Sequence, residues 1–174
     1  RPNVGKSTLL NRLVGQKLSI TSDRPQTTRH RIVGVVTRPQ GQLLFLDSPG
    51  FQTRTGGALN RVLNRTALQV AQDADATIFV CDATAWTSGD ESFARRLPRG
   101  RPLVLALNKT DRVADKARLL PLVERLQREY RFDEIVPLSA RTGKQVEVLI
   151  DVCMRLVPEG PALYEPDAQI GRAH

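Results

Sequence analysis

With 174 residues, 40% of them apolar and 25% charged, the chain has the make-up of one folded domain with its own core rather than of a disordered segment. No apolar run approaches the roughly 20 residues that span a bilayer, so no membrane span is expected, and no charged-then-apolar leader is visible at the start of the sequence. The net charge of +8, from 26 Lys and Arg against 18 Asp and Glu, permits an anionic partner, with Arg supplying 21 of the 26 cations.

In chain order, the first element is a helix over 7–14, rich in Leu behind Ser7 and Thr8. Strands are expected at 31–37 and 42–46, short runs of Val, Ile, Leu and Phe joined by the turn signal Arg38-Pro39-Gln40-Gly41, which reads as a hairpin. Thr55-Gly56-Gly57 reads as a loop. Leu59, Val62, Leu63, Thr66 and Val70 then repeat at helical spacing. Further strands are expected at 76–81, 103–107 and 135–138, with a helix within 116–130 that begins at Pro121 and another carried by Val146, Leu149, Val152, Cys153 and Leu156. Strands alternating with helices imply a three-layer α/β fold, a mostly parallel sheet covered on both faces, with one antiparallel edge strand from the hairpin.

The residues outside this pattern are bland. Cys81 and Cys153 each lie in an apolar run without metal-ligand spacing and read as buried reduced thiols, which fits a reducing cytoplasm. Arg95-Arg96-Leu97-Pro98-Arg99-Gly100-Arg101 is the densest basic run; it lacks interleaved aromatics, and both a solvated surface and an RNA contact stay open. After Pro158-Glu159-Gly160-Pro161, residues 161–169 read as a linker. The last five, Ile170-Gly171-Arg172-Ala173-His174, match a translated sequencing adapter and are expected to be a non-native tail.

The chemistry sits between the elements. Arg1-Pro2-Asn3-Val4-Gly5-Lys6-Ser7-Thr8 is the second half of a Walker A loop, whose leading glycine would stand one residue before Arg1. Gly5 lets backbone N–H groups approach phosphate, Lys6 reaches the β and γ oxygens, and Ser7 can hold Mg²⁺. The helix that follows turns its positive end toward the same anion. Three more motifs stand at expected strand exits. In Asp47-Ser48-Pro49-Gly50, Asp47 would hold Mg²⁺ through water and the Gly50 N–H would sense a γ-phosphate. In Asn108-Lys109-Thr110-Asp111, the Asp111 carboxylate can accept from the N1–H and N2–H₂ edge of guanine, a donor pair that adenine lacks. There the Lys109 stem packs on the base and Asn108 ties the loop to the phosphate loop. In Ser139-Ala140-Arg141, the Ala140 N–H can meet guanine O6. Each motif alone reads as a turn or a solvated loop; their order and their placement together point to a guanine nucleotide, GTP or GDP.

The run Gly15-Gln16-Lys17-Leu18-Ser19-Ile20-Thr21-Ser22, followed by Gln26-Thr27-Thr28-Arg29-His30-Arg31-Ile32-Val33-Gly34, closely resembles the first switch region of the bacterial Era GTPases. The four nucleotide motifs and Ala85-Trp86-Thr87 fit the same pattern, which extends from about residue 1 to 167. Tandem-domain ribosome GTPases and the tRNA-modifying GTPase share the phosphate loop, but their switches usually read Gly-x-Thr-Arg-Asp. The resemblance implies a P-loop GTPase domain over 1–160 whose first central strand is missing from this chain. It implies a role in small ribosomal subunit assembly, exerted by a C-terminal KH domain that binds ribosomal RNA; this chain has no KH-type Gly-x-x-Gly loop. A monomer in the cytoplasm, with peripheral contact to the cell membrane, is implied as well.

The resemblance also assigns roles. Thr28, before Arg29, is the switch threonine that closes on Mg²⁺ and the γ-phosphate, with Thr27 as runner-up. Phe51 stands where Ras-like enzymes carry the water-orienting glutamine, so the attacking water has to be held by main-chain groups or another switch residue. Asn3 stands where potassium-dependent relatives carry a cation-coordinating asparagine; K⁺ binding and a simple loop hydrogen bond both remain open for it. His30 reads as a packing or partner-contact residue rather than a general base. Lys6, Thr28, Gly50 and Asn3 form the expected catalytic set. A slow GTPase switch is the expected function, and the alternatives are a nucleotide-insensitive RNA-binding scaffold on the same fold or another ribosome-assembly or tRNA-modification GTPase.

Overall fold

A computed structural model describes residues 3–15, 30–52 and 56–160. Helix α1 (Lys6–Val14) leads to a hairpin of β1 (Ile32–Arg38) and β2 (Gly41–Leu46), then α2 (Ala58–Asp73), β3 (Thr77–Asp82), α3 (Ser88–Arg96), β4 (Leu103–Asn108), α4 (Leu119–Glu129), β5 (Glu134–Pro137) and α5 (Val146–Leu156). Strands β3, β4 and β5 form a parallel sheet in that order, and β1 and β2 form a separate antiparallel pair.

The parallel strands are apolar on both faces, as burial from two sides requires. Their alternation divides the core. Val80, Val104, Ala106 and Val136 face the layer of α1 and α5, where they meet Leu9, Leu13, Leu149 and Ile150. Phe79, Cys81, Leu105 and Leu107 face the other way, toward Ala67 of α2, Phe93 of α3 and Leu126 of α4. Three layers follow from this period of two.

Between the free edges of β2 and β3 lies a mainly apolar cavity of about 630 Å³, lined among others by Leu44, Leu46, Ile78, Val80, Leu9 and Ala71.

Two elements differ from the sequence reading. Helix α4 begins at Leu119, after a short 3₁₀ turn at Lys116–Arg118, so Pro121 is its third residue. At that position the missing N–H costs nothing, because no intrahelical acceptor exists yet. Helix α3 has no counterpart in the reading. Its start is set by a capping box: the Thr87 side chain accepts from the Asp90 N–H at 3.2 Å while the Thr87 N–H donates to Asp90 Oδ2 at 3.0 Å. Two arginines of the basic run at and beyond its end are engaged in structure. Arg95 pairs with Glu91 at 3.0 Å and lies over the Tyr130 ring, and Arg101 donates to the Ala74 carbonyl at 2.7 Å.

The hairpin docks on α1 through a glycine. A Cβ at Gly34 of β1 would stand 2.3 Å from Val14 Cγ1, so only a residue without a side chain lets β1 approach the end of α1. Gly34→Ala is expected to destabilise the full-length protein by about 1–3 kcal/mol, as overpacking does. Adding Val14→Ala should restore part of the loss; urea unfolding of both variants is the check, and equal stability of Gly34→Ala and wild type would contradict this packing.

Candidate nucleotide site

The four loops read from the sequence emerge at one pole of the molecule, where α1 begins and the parallel strands end. The phosphate loop is shaped by two left-handed residues, Asn3 (φ 62°) and Gly5 (φ 90°), and Gly5 then caps α1. Val4 between them is buried, whereas Asn3 and the first-turn residues Ser7 and Thr8 are exposed. That turn exposes N–H groups with no intrahelical partner and the positive end of the helix dipole, an anion-binding arrangement.

Asn108 fastens this loop from the end of β4. Only 2% exposed, it donates from Nδ2 to the Val4 carbonyl at 2.8 Å, and its Oδ1 accepts the Ala140 N–H at 2.9 Å. One buried amide thus ties the phosphate loop to the loop after β5. The Ala140 N–H assigned to guanine O6 is therefore already hydrogen-bonded within the protein, and a base oxygen would share or take over this donor. Asn108 also explains Gly5, since a Cβ there would lie 2.3 Å from Asn108 Nδ2.

Lys109, in the left-handed region at φ 68°, sends its ammonium to the Asn3 carbonyl and to Asp82 Oδ2, the latter at 3.2 Å. Its stem is held beside the phosphate loop. Asp82, at the end of β3, also accepts from the Thr84 N–H and hydroxyl. Burial pushes the Asp82 carboxyl up, but the Thr84 hydrogen bonds and Lys109 outweigh it and hold the group below the usual carboxylate range.

Asp111 is oriented from both sides. Ser139 Oγ donates to Oδ1 at 2.8 Å, and Arg141 Nε to Oδ2 at 3.0 Å. The Ser139 bond, with help from Arg141 and against the cost of desolvation, keeps this carboxyl below the usual range, so it is an anion ready to accept. The loop that carries Ser139 closes on itself, with the Gly143 N–H on the Ser139 carbonyl at 2.8 Å and the Ser139 N–H on the Lys144 carbonyl at 3.0 Å. Arg12 of α1 donates to the Ala140 and Arg141 carbonyls from beneath.

On the phosphate side, the Lys6 ammonium donates to the Ser48 carbonyl in the loop after β2. Burial lowers its pKa from the ordinary lysine value, with Asp47 acting in the opposite direction. The Asp47 N–H is anchored to the Arg31 carbonyl at 2.7 Å, which fixes its backbone at the strand exit. Ser7 and Asp47 offer hydroxyl and carboxylate oxygens, the donors a hard cation such as Mg²⁺ takes. Gly50 leads into Phe51, whose ring is 6% exposed and stacks on Phe93 with centroids 4.2 Å apart. Phe51 is therefore a core anchor of this loop and faces no water. Asn64 of α2 pins the next residue, accepting the Gln52 N–H at 2.6 Å and donating to its carbonyl at 3.0 Å.

His30 Nε2 lies 2.7 Å from Asp73 Oδ2, so the residue ahead of β1 is joined to the end of α2. Thr28 and Thr27 lie outside the described residues, as do Arg1, Pro2 and the tail 161–174. Cys81 and Cys153 are buried free thiols, and burial raises the latter's pKa to about 11. Among the described residues no helix is long and apolar enough to cross a membrane. The sequence reading missed Arg12, Asp82 and Asn64, whose contacts join segments far apart in the chain and leave no local pattern.

The chain is similar to known proteins along most of its length. The family model described as 50S ribosome-binding GTPase matches residues 1–109. GTPase Era of Bordetella pertussis is 44% identical over 172 residues, which is 99% of this chain and 58% of that protein. GTPase Era of Nitrosomonas eutropha is 46% identical over 167 residues, 96% of this chain and 56% of that protein. The chain thus spans somewhat over half the length of these relatives. Among solved structures, Era in complex with MgGDPNP and a 16S ribosomal RNA segment superposes with a TM-score of 0.79 at 36% identity, covering 96% of this chain and 57% of that one. Aquifex aeolicus Era bound to GDP and AlF₄⁻ gives the same TM-score at 35% identity.

Gly5→Ala combines a left-handed alanine with displacement of the Asn108 amide, and in the full-length protein it should cost about 2–4 kcal/mol of stability. Nucleotide affinity should fall more than about tenfold in the same variant. Urea unfolding and a GDP titration read the two effects; an unchanged affinity would separate Gly5 from the site.

Proposed function

Because the chain belongs to the 50S ribosome-binding GTPase family, within which it is an Era-type member, we propose that it is the nucleotide domain of a GTP-binding and slowly GTP-hydrolysing switch. The observation that carries this reading is the Asp111 carboxylate, held as an anion by Ser139 and Arg141, whose loop the Asn108 amide ties to the phosphate loop.

In this reading guanine places N1–H and N2–H₂ on Asp111, O6 meets the Ala140 N–H, and the Lys109 stem covers the base. Asn3, Val4, Gly5, Lys6, Ser7 and Thr8 surround the phosphates. Lys6 leaves the Ser48 carbonyl for the β and γ oxygens, where its charge opposes that developing in γ-phosphoryl transfer to water. Ser7, Asp47 and Thr28 would hold Mg²⁺, which supplies further charge neutralisation on the phosphates. The Gly50 N–H senses the γ-phosphate. With Phe51 committed to the core in the place of a water-orienting glutamine, main-chain groups of the switches orient the attacking water and turnover is slow. Gly50 and Thr28 let go of the γ position when the phosphate departs, so the loops around β2 report the nucleotide state.

Era was solved with MgGDPNP and 16S ribosomal RNA, which supports the same partner for the full-length protein. We assign it a role in small ribosomal subunit assembly as a cytoplasmic monomer with peripheral membrane contact, its RNA bound by a C-terminal KH domain. Asn3, exposed and left-handed beside the phosphates, is the candidate ligand for K⁺.

Asp111→Asn in the full-length protein should weaken GTP binding by about 100-fold and admit xanthosine triphosphate, whose extra carbonyl suits the amide. Nucleotide competition measures this; absence of GTP binding by wild type, with RNA binding intact, would make the protein a scaffold instead. Hydrolysis should run faster in K⁺ than in Na⁺, and Asn3→Ala should remove the difference. Phosphate release in the two salts is the measurement, and equal rates for wild type would eliminate potassium.

A further inference from the structure

Arg12 is not part of any nucleotide motif, yet it reaches the loop that would read the base. It stands in the last turn of α1 and bridges 128 and 129 residues of sequence, with Nε donating to the Ala140 carbonyl at 3.1 Å and Nη2 to the Arg141 carbonyl at 2.6 Å. The turn of that loop closes over the guanidinium. At Gly143, with φ +84°, a Cβ would stand 3.4 Å from Arg12 Nη1, so the loop backbone lies directly against the arginine. The planar fork suits this task, because it can satisfy two adjacent carbonyls in one fixed orientation.

The consequence lies in what each end of α1 does. Its first turn carries Lys6 and Ser7, and its last turn carries Arg12, roughly 9 Å further along the helix axis. A single rigid helix therefore fixes the distance between the phosphate cradle and the carbonyls of Ala140 and Arg141. Asn108 makes the complementary tie from above, holding the Ala140 N–H and the Val4 carbonyl. The Ala140 peptide is gripped at its N–H by Asn108 and at its own carbonyl by Arg12, which leaves the loop little freedom to tilt.

We propose that Arg12 is a positioning residue for guanine selectivity: by holding the Ala140 and Arg141 carbonyls it sets the attitude of the loop that presents Ser139 to Asp111 and the Ala140 N–H to the base. This rests on the guanine-site reading above. Loss of the fork lets the loop tilt, so that Ser139 no longer orients Asp111 and the carboxylate meets the N2–H₂ edge poorly. Selectivity against a base without the 2-amino group should then suffer more than affinity for the phosphates.

The test compares GDP with IDP, which lacks only that amino group, in the full-length protein. Arg12→Met, which keeps the apolar stem, should weaken GDP binding about tenfold and narrow the GDP over IDP preference about fivefold, whereas Arg12→Lys, able to donate to both carbonyls, should recover most of the preference. Arg12→Gln, with one donor group and a similar stem, should fall between them and serves as the readout if Arg12→Met does not fold. A lowered melting temperature with an unchanged GDP over IDP preference would reduce Arg12 to a structural clamp and overturn the proposal. The outcomes separate from those of the base site itself. If wild type does not distinguish GDP from IDP, the guanine reading fails and this inference with it; if wild type discriminates, Asp111→Asn abolishes that discrimination and the Arg12 variants retain it, the inference alone fails.

Discussion

The Asn108 side chain is the contact on which the rest of the site depends. A primary amide has one acceptor and one donor group to satisfy when it is buried, and leaving either unpaired in a 2%-exposed position would cost about 1–3 kcal/mol. Asn108 satisfies both with backbone groups, the Val4 carbonyl and the Ala140 N–H. Because those groups belong to loops more than a hundred residues apart, the penalty for breaking either bond enforces their separation. Several other features follow from this placement. Gly5 has room for hydrogen only because the amide passes over it, and Lys109, next in sequence, is turned into the left-handed region so that its ammonium reaches the Asn3 carbonyl beside it.

The sheet delivers Asn108 to that point. Val104, Leu105, Ala106 and Leu107 of β4 have no exposed surface and pack alternately into the two cores, so β4 is the most fully enclosed of the described strands. A strand buried on both faces and paired on both edges cannot slide without exposing apolar surface and breaking two ladders. Its exit is therefore firmly held, and the buried Asn108 amide sits there. The adjacent exits carry Asp82 from β3 and Ser139 just beyond β5, and the register of the parallel ladder, with Asp82 opposite Asn108, sets them level. The phosphate loop is less deeply supported. Its neighbours are α1, the Asn108 and Lys109 contacts, and the cavity between β2 and β3.

The legible parts of this molecule are those in which the chemistry is local in sequence. Strand positions followed from short runs of Val, Ile, Leu and Phe, and the helices α2 and α5 from apolar residues at helical spacing, each end to within three residues. The four loops were legible because phosphate and guanine recognition demand particular residue types at fixed offsets. Helix α3 escaped because its signal is a four-residue capping box, Thr87 to Asp90, followed by a short polar stretch whose only deeply buried apolar residue is Phe93. Phe51 could be seen as unable to orient water, but its stacking on Phe93 required the α3 layer to be in place. Arg12 and Asp82 act through partners 128 and 27 residues away, so no pattern around either residue announces its role.

The same geometry bears on how the protein balances its site before a nucleotide arrives. Lys6 donates to the Ser48 carbonyl, and Arg141 caps an oxygen of Asp111. Both are contacts that a nucleotide would contest, yet they differ in strength. Lys6 trades a neutral carbonyl for anionic phosphate oxygens, which adds the attraction of opposite charges to a bond that was ionised on one side only, so the exchange favours binding. Burial that lowers its pKa from the ordinary lysine value sharpens this preference, because a partly desolvated ammonium gains more from an anion than from a peptide oxygen. Arg141, by contrast, has a side chain 71% exposed, and an ion pair so open to water contributes little. It can swing aside at little cost while Ser139 keeps the carboxylate oriented. In the proposed bound state the phosphate side would supply the driving force and the base side the discrimination, with the buried Asn108 amide linking the two through the Val4 carbonyl and the Ala140 N–H.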